Sequence, residues 1–175
     1  PQTSRRSTEH CLALQGLRRA GCGRIIAVDI DEQRLALAMK LGADVVIDAR
    51  DVSVPAEVAK VTGGRGADVA LEAVGASTPV NTAIACLRKG GALTLVGNIT
   101  PKIELPLQAV VTRELSLNAS CASSGEYPAC LDLMSRGFID VKPLISAKAP
   151  LAEGPLWFER LYGKEPGLMK VLLEP

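Results

Sequence analysis

The chain has 175 residues, 47% of them apolar, and a net charge of +1 with both signs interspersed. That excludes wholesale disorder and gives no electrostatic case for nucleic acid or an anionic membrane. Aromatic residues, at 3%, argue against a base-stacking surface, and no apolar run reaches the ~20 residues that span a bilayer.

The first ten residues, Pro1 to His10, are polar and aperiodic and are expected to form a coil or tail. They carry no apolar signal core, so a cytoplasmic location is expected. A helix pattern begins near Cys11, with Leu12, Leu14, Leu17 and Ala20 as its apolar members and Gly21 as its stop. Ile25 to Val28 is a short β-branched run after a Gly-x-Gly break and predicts a buried strand. The strand ends on Asp29. A helix opens at once, with Asp31 placed to cap it, Glu32 in its first turn, and Leu35, Ala38 and Met39 at helical spacing. A strand that ends in an acid and turns into a helix is the second β-α unit of a dinucleotide-binding fold, where the acid hydrogen-bonds ribose hydroxyls. An acid that merely ends a strand is the plain alternative.

Val45 to Ile47 predicts the next strand, and a short helix follows around Pro55 to Val61. Gly63-Gly64-Arg65-Gly66 follows a helix and precedes a strand, the wrong order for a phosphate cradle, and reads as a helix stop and turn. Val69 to Val74 predicts a strand ending at Gly75. Thr78 is expected to cap a helix with Pro79 at its first position and Val80, Ala83, Ile84 and Leu87 on its buried face. Arg88 and Lys89 are expected at its negative end, with Gly90-Gly91 terminating it. Ala92 to Val96 predicts a strand ending in Gly97-Asn98.

Strands alternating with helices imply parallel βαβ units and an α/β, doubly wound parallel sheet. Ligands of such sheets lie beyond the carboxyl ends of the strands. Asp29, Val74-Gly75 and Val96-Gly97 all fall there, and glycine lets a flat ligand approach the backbone. Past Thr100, Leu115 to Ala119 alternates apolar and polar and reads as an edge strand. Tyr127 to Met134 predicts a helix, Leu144-Ile145 a short strand, Trp157 to Leu161 a helix and Leu168 to Leu173 a last strand.

The five cysteines, Cys11, Cys22, Cys86, Cys121 and Cys130, form no Cys-x-x-Cys pair. Most sit in apolar contexts, so buried thiols in a reducing compartment are expected. With His10 as the only histidine, a His/Cys zinc site is hard to assemble. His10 itself is expected to be solvated, and Trp157 to serve packing. Glu72 is either a polar neighbour of a cofactor or a buried acid paired locally.

Five stretches, taken in order, carry a family likeness: Gly-Arg-Ile-Ile-Ala-Val-Asp (23–29), Lys-Leu-Gly-Ala-Asp (40–44), Gly-Ala-Asp-Val-Ala-Leu-Glu-Ala-Val-Gly (66–75), Leu-Arg-Lys-Gly-Gly (87–91) and Gly-Leu-Met-Lys-Val-Leu-Leu (167–173). With them the chain resembles the medium-chain zinc-type alcohol and polyol dehydrogenases, nearest their sorbitol-dehydrogenase-like branch, from about Cys11 to Pro175. The resemblance implies hydride transfer from an alcohol or polyol to NAD. It assigns Asp29 to the adenosine ribose and Arg34 to a basic position beside it, and an acid there favours NAD over NADP. It places Val74, Gly75, Val96 and Gly97 along the adenine and nicotinamide halves, Cys121 and Ala122 near the nicotinamide carboxamide, and Lys170 on the pyrophosphate. It makes Leu115 to Ala119 the strand of a homodimer, and returns the chain to a catalytic domain from about Ser146.

The departures shape the expectation further. Where the family has a buried strand and a Gly-x-Gly-x-x-Gly turn, this chain has Pro1 to His10, and no glycine precedes Gly16. The sheet is therefore expected to lack its first strand. The zinc ligands and proton relay of the family find no counterpart, so no catalytic or metal-binding residue is assigned. The expected organisation is an irregular tail (1–10), a dinucleotide-binding domain (11–145) and the return segment (146–175) of a catalytic domain otherwise absent. Such a chain supplies the cofactor half of the reaction and no turnover alone. The alternative is a truncated, non-catalytic remnant with little nucleotide affinity; a methyltransferase, which also places an acid after its second strand, fits the residues beyond Gly75 poorly.

Overall fold

The computed structural model describes residues 6–163 and 165–175. They form two compact units: one gathers the residues up to Ala27 with Glu32–Val45 and Gly125–Pro175, the other Val28–Asp31 with Val46–Ser124. The elements alternate as expected for a parallel α/β chain, and hydrogen bonding divides the strands into sheets of two, three and two.

The second unit carries the three-stranded sheet β3-β4-β5, in the order Ala67–Glu72, Leu87–Leu95 and Ser116–Ala119, parallel throughout. Helix α3 (Val54–Val61) precedes β3, α4 (Ser77–Cys86) joins β3 to β4, and α5 (Leu107–Thr112) precedes β5. Parallel neighbours cannot be joined by a tight hairpin and need a crossover connection, which a helix supplies in each case here. Val80, Ile84, Leu87 and Leu93 form the buried cluster, and Ala67, Ala70, Leu95 and Val110 pack around it. Leu93 is fully enclosed, which stabilises the unit by about 1.5–3 kcal/mol against an exposed leucine. The strands β1 (Ile26–Asp29) and β2 (Val45–Asp48) pair with each other. Asp44 N–H donates to the Ile25 carbonyl and Ala49 N–H to the Asp29 carbonyl, so both strands advance in one direction.

The first unit holds α1 (Arg6–Arg19), α2 (Glu32–Lys40), α6 (Tyr127–Ser135) and α7 (Gly154–Tyr162), with a parallel pair β6 (Ile145–Pro150) and β7 (Lys170–Glu174). Helix α1 starts at Arg6, ahead of the expected Cys11, so the polar run from Arg6 to His10 is helical; Pro1 to Arg5 lie outside the described residues. Polar side chains do not forbid a helix when its later turns bury Cys11 and Leu14. Buried Gln15 ties α1 to the turn after α6: its amide nitrogen donates to the Asp140 carbonyl (3.0 Å) and its amide oxygen accepts from Asp140 N–H (2.7 Å). Asp44 of the Lys-Leu-Gly-Ala-Asp stretch accepts from Ile25 N–H (2.7 Å) and from the Arg18 guanidinium (2.6 Å), fixing the entry to β1.

Several local expectations differ from the structure. Helix α4 opens at Ser77 with Ala76 in the cap position and no side-chain cap, so Thr78 and Pro79 lie within its first turn. Proline is tolerated there because the first amide protons of a helix lack intrahelical partners. The same helix stops at Cys86, where Leu87 turns extended; Arg88, Lys89, Gly90 and Gly91 belong to β4 and not to a helix end. Ala67 faces Leu87 and Val69 faces Ala92, so Arg88–Gly91 bulge out of the ladder. Leu12, Ala20 and Met39 are exposed, and two of the five cysteines, Cys11 and Cys86, are buried while Cys121 and Cys130 are exposed. His10 is half-buried, its Nδ1 enclosed without a hydrogen-bond partner. Helix α5 had no sequence expectation. The Gly63–Gly66 turn is as expected: Gly64 N–H donates to the Ala59 carbonyl, and Gly63, Gly64 and Gly66 all take left-handed φ.

Candidate functional site

The register of the three-stranded sheet sets one row of strand ends. Glu72 faces Leu95, and Leu95 faces Ala119. The chain leaves all three strands at the same edge, through Val74-Gly75, Val96-Gly97 and Cys121-Ala122. Six of the nine expected site residues thus lie along one carboxyl edge, the place where a parallel sheet receives a ligand.

Gly75 and Gly97 are the tightest point of that edge. Their backbones abut: a Cβ on Gly75 would overlap Gly97 and Asn98, and a Cβ on Gly97 would overlap Val74 and Gly75. Gly75 also sits at φ +75°, a conformation that costs other residues about 1–2 kcal/mol. Thr100 closes the crossing by donating its amide (3.0 Å) and hydroxyl (2.7 Å) to the Gly75 carbonyl.

Glu72 is 4% exposed and is paired locally, the second of its two sequence readings. Its carboxylate accepts from Val74 N–H (2.6 Å) and, through both oxygens, from Gly75 N–H (3.0 and 2.9 Å). Its main-chain carbonyl accepts from Val96 N–H (2.8 Å) and Gly97 N–H (3.0 Å).

Asp29 closes β1, and its Oδ1 accepts from Ile30 N–H (2.7 Å) and Asp31 N–H (3.1 Å). The short carboxylate therefore builds its own turn and leads into α2. Beyond β5, Cys121 is exposed and Ala122 holds φ +56°, a left-handed conformation unusual for a residue with a Cβ. Arg34, on α2, and Lys170, opening β7, belong to the first unit. Lys170 borders a groove of about 230 Å³ with Trp157, Phe158, Leu161 and Met169. Trp157 is occupied locally: its indole N–H donates to Glu153, and Arg160 stacks 4.0 Å over its ring.

Sequence reading missed Thr100 and Arg113. Thr100 bonds a glycine 25 positions earlier, and no local pattern announces it. Arg113 donates to the carbonyls of Ile84 (2.8 Å) and Leu87 (3.0 Å), at the negative end of α4. It takes the role expected of Arg88 and Lys89, which instead pair with Asp68 (2.6 Å) and Glu114 (2.9 Å). The carbonyls left over at that helix end were the available signal.

With this geometry in view, the comparisons decide the family. Residues 11–136 match the model of the zinc-binding dehydrogenases. The chain belongs to that family. It is 38% identical over 133 residues to an L-idonate 5-dehydrogenase of Vitis vinifera, covering 74% of this chain and 36% of the relative. It is 29% identical over 167 residues to an alcohol dehydrogenase of Cupriavidus necator, covering 93% of this chain and 46% of the relative. Among solved structures, the 2R,3R-butanediol dehydrogenase of Bacillus subtilis superposes with a TM-score of 0.85 at 29% identity, over 94% of this chain and 47% of the other. The chain spans about half the length of the relatives it matches and corresponds to their C-terminal part.

The family's name implies zinc, which the described residues do not fit. Among the described residues, no three His, Cys, Asp or Glu side chains come together to hold a metal ion. Among the same residues, no helix is long and apolar enough to cross a membrane.

Proposed function

We propose that this chain is the dinucleotide-binding part of an NAD-dependent alcohol or polyol dehydrogenase. The observation that carries the reading is the row of parallel strand ends, Glu72, Leu95 and Ala119, with the Gly75–Gly97 crossing directly beyond it. Parallel strands that end in one row present the carboxyl edge at which ligands of such sheets bind, and the zinc-binding dehydrogenase match supports the choice of cofactor.

In this reading Asp29 takes the adenosine ribose and favours NAD over NADP, with Arg34 as its basic neighbour. Val74, Gly75, Val96 and Gly97 line the adenine and nicotinamide halves, Cys121 and Ala122 approach the carboxamide, and Lys170 faces the pyrophosphate. When bound, the dinucleotide supplies the hydride acceptor. The residues of this chain bind and orient it; the substrate site and its proton relay belong to the part of the relatives that this chain does not match. Residues 11–145 constitute the binding domain and 146–175 the segment returning to a catalytic domain. Exposed β5 is the surface through which a second copy would pair. Free thiols at Cys121 and Cys130 suit the cytoplasm.

A second reading, a remnant with little nucleotide affinity, draws support from one feature: the amides of Val74, Gly75, Val96 and Gly97 all point to Glu72 and offer no phosphate cradle. Titrating NADH into the wild type and Asp29→Ala, followed by nicotinamide fluorescence, separates the two. Saturable binding lost in the variant supports the dehydrogenase reading; no binding by either protein supports the remnant.

A further inference from the structure

Four amide protons at the carboxyl edge converge on one residue. Val74 and Gly75 donate to the Glu72 carboxylate, and Val96 and Gly97 donate to its carbonyl. The Gly75 carbonyl at the crossing accepts from the amide and the hydroxyl of Thr100. Glu72 is also the sole buried charged side chain among the described residues, at 4% exposure. A buried carboxylate is costly unless its lone pairs are satisfied, and here it is satisfied by main chain alone.

This arrangement is the inverse of a phosphate site. A phosphate cradle turns successive amide N–H groups outward to the ligand. Here they turn inward, and a carboxylate occupies the position that an anion would take. The turned-in amides also pin the two backbone segments whose close approach admits no Cβ.

We propose that Glu72 is a positioning residue that holds the Gly75–Gly97 crossing in register and closes this edge to anions, reserving it for an uncharged, nucleoside-like portion of the ligand. The ligand class rests on the dinucleotide reading above; the positioning role does not. Glu72→Gln is nearly isosteric but replaces one acceptor oxygen by a donor that opposes the Gly75 amide. Glu72→Ala removes both acceptors.

The test reads main-chain amides of the 175-residue chain by nuclear magnetic resonance, without ligand first. In the wild type, the Val74 and Gly75 amides exchange with solvent as slowly as those inside β4, although both lie past the end of a strand. In Glu72→Gln they exchange about tenfold faster or more, as expected for loss of a charge-assisted hydrogen bond, while amides of α3 are unchanged. Inorganic phosphate added to the wild type leaves the Gly75 and Gly97 resonances in place, and adenosine shifts them. NADH binds the variant at least about tenfold more weakly than the wild type.

Fast exchange of Val74 and Gly75 in the wild type overturns the positioning role even if neither variant folds. Phosphate-induced shifts at Gly75 and Gly97 overturn the exclusion of anions. Unchanged NADH affinity in Glu72→Gln overturns the link to ligand binding. A wild type that shows slow exchange and no phosphate shift but binds neither adenosine nor NADH supports the positioning role and overturns the dinucleotide reading alone.

Discussion

Gly75 and Gly97 meet backbone to backbone at the end of two parallel strands, and neither has room for a methyl group. Replacing either by alanine must push two main-chain segments apart, which no rotamer change relieves. At Gly75 the φ of +75° adds conformational strain. Both variants are expected to lose about 3 kcal/mol or more, at the severe end for point substitutions, measured as a lowered urea midpoint. An alanine variant at either position with wild-type stability would show that the crossing is looser than described.

Arg113 reaches back to α4 and binds the Ile84 carbonyl in its last turn and the Leu87 carbonyl just past its end. It supplies both hydrogen-bond donors and a positive charge at the negative helix end. Arg113→Met keeps much of the aliphatic packing and removes the donors. The expected loss is about 1–2 kcal/mol, measured by urea unfolding. Arg88→Met removes an ion pair to a half-exposed Asp68 and an exposed hydrogen bond to the Lys89 carbonyl and is expected to cost less than Arg113→Met. The reverse order of the two effects would return the capping role to Arg88.

These two sites show what was legible in sequence. The apolar runs Ile25–Val28, Val45–Ile47 and Ala92–Val96 gave the strands, but the burial expected of the first is only partial: β1 is half-buried and Val28 is exposed. Gly75 and Gly97 were recognisable as strand-end glycines, and Asp29 as an acid at a strand exit. Their partners were not recognisable, since a cap such as Arg113 or a lid such as Thr100 acts across more than twenty positions and leaves no local spacing. The glycine pair Gly90-Gly91 signals a helix stop equally well as a bulge, and the ladder from Ala67 to Leu87 decided for the bulge. Asp44 fell inside a family stretch without a role; its bonds to Ile25 and Arg18 show that it secures the start of β1.

Acid should weaken the fold through such carboxylates. Hydrogen bonds from Arg65, then Arg88, hold Asp68 down at about 2, against an ordinary value of 3.8. Asp44 is lowered by Ile25 N–H first and by Arg18 next. A depressed folded-state pKa means that the unfolded chain binds the proton more readily. The stabilisation is complete above the ordinary value and is lost as pH falls towards about 2. A urea midpoint that declines between about pH 4 and pH 2, less steeply in Asp68→Asn, is expected. Added salt should shrink the Asp68 part, because its pairs are exposed. A midpoint flat across that interval would contradict the assignment.

The thiols should divide by environment. Burial pushes the Cys86 thiol up to about 11, so little thiolate forms at neutral pH. Cys11 is 2% exposed. Brief treatment of the native protein with iodoacetamide, followed by peptide mass analysis, is expected to label Cys121 and Cys130 and to spare Cys11 and Cys86 until denaturant is added. Native labelling of Cys86 at the rate of Cys130 would mean that α4 opens locally.

Ala122 offers the opposite experiment to the glycine crossing. It holds φ +56° just past the row of strand ends, where a Cβ is strained and glycine is not. Ala122→Gly relieves that strain while giving the unfolded chain more freedom, and the two effects oppose each other. Because left-handed backbone costs a non-glycine residue about 1–2 kcal/mol, strain relief dominates and a net gain of about 0.5–1 kcal/mol is expected. Glu114, at φ +55° in the turn before β5, provides the comparison. Its side chain pairs with Lys89 in solvent, so Glu114→Gly should gain a similar amount without touching the candidate ligand edge. If strain at Ala122 serves to aim the segment at a nucleotide, Ala122→Gly gains stability and loses NADH affinity, whereas Glu114→Gly gains stability alone. Equal NADH affinity in both variants would assign the Ala122 conformation to the turn and not to the ligand.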